Sequence, residues 1–132
     1  MNSSLDNIFV GIVDDDGSIR RSFSRLLRAA GMQTATFRSA EEFLAGATPP
    51  GLDCLILDVQ MPGMSGVDLR DKLATAGVMT PVLFVTAYDD PIERERALAG
   101  QCLGYFRKSD SGNEILDAIR KTVSALHSSG TS

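Results

Sequence analysis

The chain has 132 residues, a hydrophobic fraction of 43%, a charged fraction of 23% and a net charge of −4. That is one ordinary globular domain with a normal core, and too acidic overall to be built around a nucleic-acid surface. Its two cysteines, Cys54 and Cys102, form no CxxC and have no histidine nearby, so neither a zinc site nor a disulfide framework is indicated and a reducing cytoplasm fits best.

The N-terminal segment 1–7 shows no basic region followed by an apolar stretch, and no apolar run is long enough to span a membrane. Segment 1–7 is read as loosely held. The run Ile8-Phe9-Val10-Gly11-Ile12-Val13 reads as a buried strand and ends in Asp14-Asp15-Asp16. A helical pattern follows, with Ile19, Phe23, Leu26, Leu27 and Ala30 on one face, and Gly31 is placed to end it in a left-handed conformation. Its basic residues Arg20, Arg21, Arg25 and Arg28 read as a solvated polar face. Residues 33–37 predict a short edge strand. Ser39 followed by Glu42 predicts a capping box that opens a helix with Phe43 and Leu44, broken by Pro49-Pro50-Gly51.

The run Leu55-Ile56-Leu57 reads as a core strand ending at Asp58, because Pro62 and Gly63 cannot continue it. A helix with Val67, Leu69 and Leu73 follows and stops at Gly77. Pro81 to Thr86 predicts a fourth strand. Asp90, Pro91 and Glu93 supply a cap, a helix-start proline and a capping-box acid, for a helix carrying Ile92, Ala97 and Leu98. Gly104 to Arg107 is a weak fifth strand. Ser111 and Glu114 open a last helix striped by Ile115, Leu116, Ile119, Val123 and Leu126. Segment 127–132 reads as a polar tail or the start of a linker, leaving 8–126 as the domain.

Strands alternating with helices in this way predict an α/β fold with a parallel sheet covered on both faces. Ligands of such sheets bind beyond the carboxyl ends of the strands. Asp14, Asp58, Thr86 and Lys108 all fall at or just past such ends, so several carboxylates converge with a lysine on one rim. A cluster of acids repels itself unless a cation or a proton holds it together.

These residues resemble a known family, the receiver domains of bacterial two-component response regulators. The match rests on Asp14-Asp15, on Asp58 within Asp58-Val59-Gln60-Met61-Pro62-Gly63-Met64-Ser65-Gly66, on Thr86-Ala87 and on Lys108, and it runs from about Ile8 to Leu126. The wording around Asp58 is most similar to the branch of nitrogen-fixation and nitrate-type regulators. The resemblance implies a doubly wound, five-stranded, flavodoxin-like (βα)5 fold with strand order 2-1-3-4-5. It implies phosphorylation of Asp58 by a sensor histidine kinase or a phosphotransfer protein. It further implies Mg²⁺, or Mn²⁺ in its place, held by Asp15, Asp58 and the backbone carbonyl of Gln60, with Asp14 acting through water. Thr86, the Ala87 amide and Lys108 would bind the phosphoryl oxygens, and Thr86 with Tyr105 would carry the switch. The helix from Asp90, the strand at Tyr105 and the last helix would form the altered face, which meets a partner or output domain or, on phosphorylation, a second copy. No direct nucleic-acid contact and no membrane contact are expected of this chain.

The family's proline after the lysine is Ser109 here, so a trans or looser loop is expected, and the glycine usual seven places before the lysine is Gln101, with Gly100 one earlier. Gln60 and Tyr88 occupy the positions flanking the phosphoryl site. Two other readings stand beside the switch. One is a degenerate receiver that works as an unphosphorylated docking scaffold. The other is an aspartyl-phosphate phosphatase, against which Gln60 counts, because it occupies the slot where such enzymes carry a general acid.

Overall fold

The computed structural model describes residues 7–46, 50–110 and 112–130, with side chains described to Ala125. Five strands alternate with five helices: β1 (Phe9–Val13), α1 (Gly17–Ala29), β2 (Gln33–Phe37), α2 (Ala40–Ala45), β3 (Cys54–Asp58), α3 (Gly66–Thr75), β4 (Val82–Thr86), α4 (Pro91–Leu98), β5 (Tyr105–Arg107) and α5 (Gly112–Gly130). The strands form one parallel sheet in the order β2-β1-β3-β4-β5. The doubly wound, flavodoxin-like topology read from the sequence is the one observed. No helix among the described residues is long and apolar enough to cross a membrane.

Alternation along the central strands divides the core between two faces. In β3, Cys54 and Ile56 join Val10, Ile12, Phe23, Leu27, Ile115 and Ile119 on one side. Leu55 and Leu57 join Phe43, Val67, Leu69, Leu73 and Phe84 on the other. Both faces of β3 and β4 are buried along their whole length, whereas β2 is partly exposed at the sheet edge. Burial on both sides explains why these strands read as continuous apolar runs rather than alternating ones. The register aligns Asp58 with Val85 and Thr86 with Arg107, which brings the strand ends to a common rim.

Several local expectations change. Ser39 does cap α2 by accepting the Glu42 amide, but the Glu42 carboxylate takes the Arg38 amide rather than completing the box. The full box lies instead at α3, between Ser65 and Asp68. Asp90 caps α4, but Glu93 pairs with Arg96 instead of closing a box. On α4 only Ala97 is buried, and Ile92 and Leu98 stand in solvent. α5 continues through 127–130, residues read as a polar tail, since nothing before Gly130 breaks a helix. Residues 1–6, Pro49, the Ser111 cap, 131 and 132 lie outside the described residues.

Candidate functional site: an acidic pocket closed by a lysine

Because β1 and β3 are neighbours in register, with Val13 opposite Leu57, their C-terminal residues bring Asp14 and Asp58 side by side. Both residues are 1% exposed, and Asp15 is exposed beside them. One carboxylate oxygen from each of the three lies within 4.8 Å of the other two. The backbone holds this arrangement. The Asp14 amide donates to the Phe37 carbonyl, the Arg20 guanidinium donates to the Asp14 carbonyl at 2.7 Å, and Asp14 Oδ1 accepts the Asp16 amide at 2.9 Å. Asp58 Oδ1 accepts the amide of Gln60 at 3.2 Å. Asp16 is exposed and caps α1, accepting from the Ser18 and Ile19 amides.

Lys108 reaches this pocket from the end of β5. Its Nζ lies 3.0 Å from Asp14 Oδ2 and donates to Asp58 Oδ2 at 3.2 Å. One ammonium thus bridges two buried carboxylates, with the exposed Asp15 carboxylate beside them. Asp14 Oδ2 is buried without a hydrogen bond even though the ammonium is close. Burial, and then the charge of Asp14, push the Asp58 carboxyl up to about 7, against the pull of Lys108. For Lys108, burial works to lower the pKa, but the Asp14 and Asp58 carboxylates outweigh it and the net shift is upward.

Gly66 decides how near α3 can come. A Cβ on it would sit 2.2 Å from the carbonyl oxygen of Asp58, so only glycine lets the start of α3 pack on the end of β3. Gly63, with φ of 77°, makes the intervening turn left-handed, and the Glu41 carboxylate of α2 accepts the Met64 amide that follows it. Glu41 and Gly63 therefore shape the loop after the acceptor.

The loop after Lys108 is trans, as the serine predicts, but it is not loose. Asp110 Oδ2 accepts the Arg107 amide, the Asp110 amide donates to the Arg107 carbonyl, and the Lys108 amide donates to the Thr86 carbonyl. These bonds bracket Lys108. The role of Asp110 was not read from the sequence, although an acid three places after a strand-end residue is a turn signal.

Thr86 is fully buried at the end of β4, and Ala87 is exposed beside it. The Thr86 hydroxyl donates to the Tyr88 carbonyl and accepts the Tyr88 amide, so it is committed to its own turn. Tyr105 lies against Phe84 and under the Arg94 guanidinium, 5.7 Å from its ring centroid. Its hydroxyl is buried beside the Thr86 side chain without a well-formed hydrogen bond, and burial followed by the charge of Asp89 raises its pKa against the pull of the Thr86 hydroxyl. Gln60 and Tyr88 are both exposed at the rim.

Three carboxylates within reach of each other, with a buried oxygen lacking a hydrogen bond and a carboxyl whose pKa is raised, are the donor chemistry that a hard divalent cation takes. The residues fit Mg²⁺.

Comparisons with known proteins agree with this geometry. A profile described as "Response regulator receiver domain" matches residues 10–120. Nodulation protein W of Bradyrhizobium diazoefficiens is 37% identical over 110 residues, covering 83% of this chain and 48% of that protein. The DNA-binding transcriptional regulator NtrC of Klebsiella pneumoniae is 34% identical over 113 residues, covering 86% of this chain and 24% of that protein. A response regulator receiver protein from Burkholderia phymatum superposes with a TM-score of 0.75 at 40% identity, covering 89% of this chain and 95% of that one. The chain spans about half the length of the first curated relatives it matches, or less. On its fold, its acid–lysine rim and this match, the chain belongs to the response regulator receiver domain family, among relatives of the nitrogen-regulator type.

Proposed function

We propose that this domain is a phosphorylation switch in which Asp58 accepts a phosphoryl group from the phosphohistidine of a sensor kinase or phosphotransfer protein. The observation that carries the reading is the buried Asp58, held through one oxygen by the Gln60 amide and through the other by Lys108, beside two further acids. In the transfer, the donor's P–N bond breaks as an O–P bond forms to Asp58. The imidazole nitrogen leaves with the bonding electron pair and takes up a proton from solvent. Asp15, Asp58 and the Gln60 carbonyl would hold Mg²⁺, with Asp14 acting through water. Bound there, the cation would neutralise charge on the moving phosphoryl group.

Lys108 already bridges Asp14 and Asp58, and it would shift its ammonium to a phosphoryl oxygen. The exposed Ala87 amide would meet a second oxygen. The Thr86 hydroxyl would leave the Tyr88 carbonyl for the third, unlocking the turn 86–88. A carboxylate with one charge becomes a group carrying about two, with strong acceptor oxygens. Space freed behind Thr86 would admit the orphaned Tyr105 hydroxyl, and α4, β5 and α5 would present the altered surface to an output domain, a partner or a second copy of the chain. The domain would span residues 8–126 and act in the cytoplasm, and its chemistry would be confined to its own acyl phosphate.

Intact mass after incubation with acetyl phosphate tests this, with and without Mg²⁺, on wild type and Asp58→Asn. A single metal-dependent phosphoryl adduct, absent from the variant, is expected. An adduct that persists in Asp58→Asn would overturn the assignment of the acceptor. Absence of transfer from both acetyl phosphate and a phosphohistidine donor would overturn the switch in favour of a docking scaffold.

A further inference from the structure

Another buried charge lies away from the acids. Arg70 is 4% exposed although it is an arginine on α3. Its Nη1 donates to the carbonyls of Ala97 at 2.8 Å and Gln101 at 2.9 Å, its Nη2 donates to the carbonyl of Arg96 at 2.9 Å, and its Nε donates to the Asp71 carboxylate at 2.7 Å. The guanidinium also lies over the Phe84 ring, 5.4 Å from its centroid. Arg96 and Ala97 belong to the last turn of α4, where carbonyls have no partner within the helix and the dipole is negative. Arg70 therefore caps α4 from a neighbouring helix. A Cβ on Gly100 would stand 2.7 Å from the Arg70 guanidinium carbon, so a glycine at 100 is what makes room for it. Around this anchor Arg96 pairs with Asp68 of α3 at 2.9 Å.

The other end of α4 is held differently. Tyr88 and Ile92 are 73% and 71% exposed, and the links there are the Arg94 guanidinium over the Tyr105 ring and ion pairs of Asp89 with Arg94 and Arg107. Such exposed pairs are weak. The helix is thus anchored at its C-terminal end to α3 and β4, and lightly held where it meets the turn 86–88.

We propose that Arg70 is the pivot of α4. It fixes the C-terminal end of the helix, so that a displacement begun at Thr86 swings the N-terminal turn instead of sliding the whole helix. This rests on the phosphoryl-switch reading and adds to it the residue that shapes the movement. Arg70 touches neither the acceptor nor its ligands. It is a positioning residue that acts through α4.

Hydrogen exchange followed by mass spectrometry tests the pivot in two steps. In the unmodified chain, Arg70→Lys and Gly100→Ala should each speed exchange in peptides covering 95–103 by about tenfold, with β1 and β3 unchanged. Lysine keeps the charge but has three donors on one atom, and without the planar fork it cannot serve three carbonyls and the Asp71 carboxylate together; the glycine variant displaces the guanidinium without altering it. With beryllium fluoride and Mg²⁺ as phosphoryl mimic, wild type should change exchange at 86–94 and stay protected at 95–103, whereas Arg70→Lys should change along both. Unaltered exchange at 95–103 in both variants would overturn the anchor. A wild-type response spread evenly along α4 would overturn the pivot while leaving the switch intact. No wild-type response anywhere would overturn the switch reading, and the pivot with it, whatever the unmodified variants had shown.

Discussion

The domain holds two buried charged centres, and they solve opposite problems. Around Arg70 the charge is satisfied in place, because helix-end carbonyls and one carboxylate take its donors. Around Asp58 it is not. Asp14 and Asp58 share one ammonium with Asp15 close by, an Asp14 oxygen lacks a hydrogen bond, and the Asp58 pKa is raised to about 7. A satisfied buried charge fixes its surroundings, whereas an unsatisfied one responds to whatever cation, proton or phosphoryl group arrives. The anchor rests on Phe84 of β4, and the responsive centre lies at the end of β3, the strand paired with β4.

Breaking the rigid side should have the largest effect. Arg70→Met leaves three carbonyls at the end of α4 and the turn beyond it without their donor, and should cost about 3 kcal/mol in chemical denaturation. Gly66→Ala sharpens the other side: the Cβ meets backbone at 2.2 Å, so the start of α3 must shift from Asp58. A loss of roughly 2–3 kcal/mol is expected, with adduct formation reduced far more than in any surface variant. Asp110→Ala should cost only about 1 kcal/mol, because its bond to the Arg107 amide is exposed, yet it should slow phosphorylation by freeing Lys108. An Asp110→Ala protein phosphorylated at the wild-type rate would show that Lys108 needs no such bracket.

How much of this was legible in sequence follows from where each residue sits. Asp14, Asp58 and Thr86 close apolar runs, Lys108 follows a weaker strand, and a parallel sheet must gather its strand ends on one rim, so period and punctuation together brought these residues to one place. Arg70 was missed, although the signal exists. It stands three residues from both Val67 and Leu73 and so falls within the buried stripe of α3, where a charge demands a partner. Its partners are backbone carbonyls, which leave no trace in side-chain identity. Ile92 and Leu98 were misjudged for the opposite reason: apolar spacing announces a face, but α4 buries only Ala97. The Glu42 and Glu93 boxes failed because each carboxylate had another donor in reach, the Arg38 amide and the Arg96 guanidinium.

The direct test of the contrast is thermal unfolding against pH, with chelator and with Mg²⁺, for wild type and Asp58→Asn. Asp58 has its pKa raised from 3.8 to about 7 on folding, so between those values the folded chain holds more protons than the unfolded one. Without metal, its contribution is fully present below about 4 and is lost as pH rises through 7, on the order of 4 kcal/mol in all. Asp68, whose pKa is lowered chiefly by Arg96, acts in the opposite sense, losing its contribution as pH falls. Metal-free wild type should be destabilised relative to Asp58→Asn between pH 5 and pH 8, and Mg²⁺ should restore wild type at pH 8 with little effect at pH 5. Parallel pH profiles for the two proteins, and an equal response to Mg²⁺ in both, would contradict that contrast.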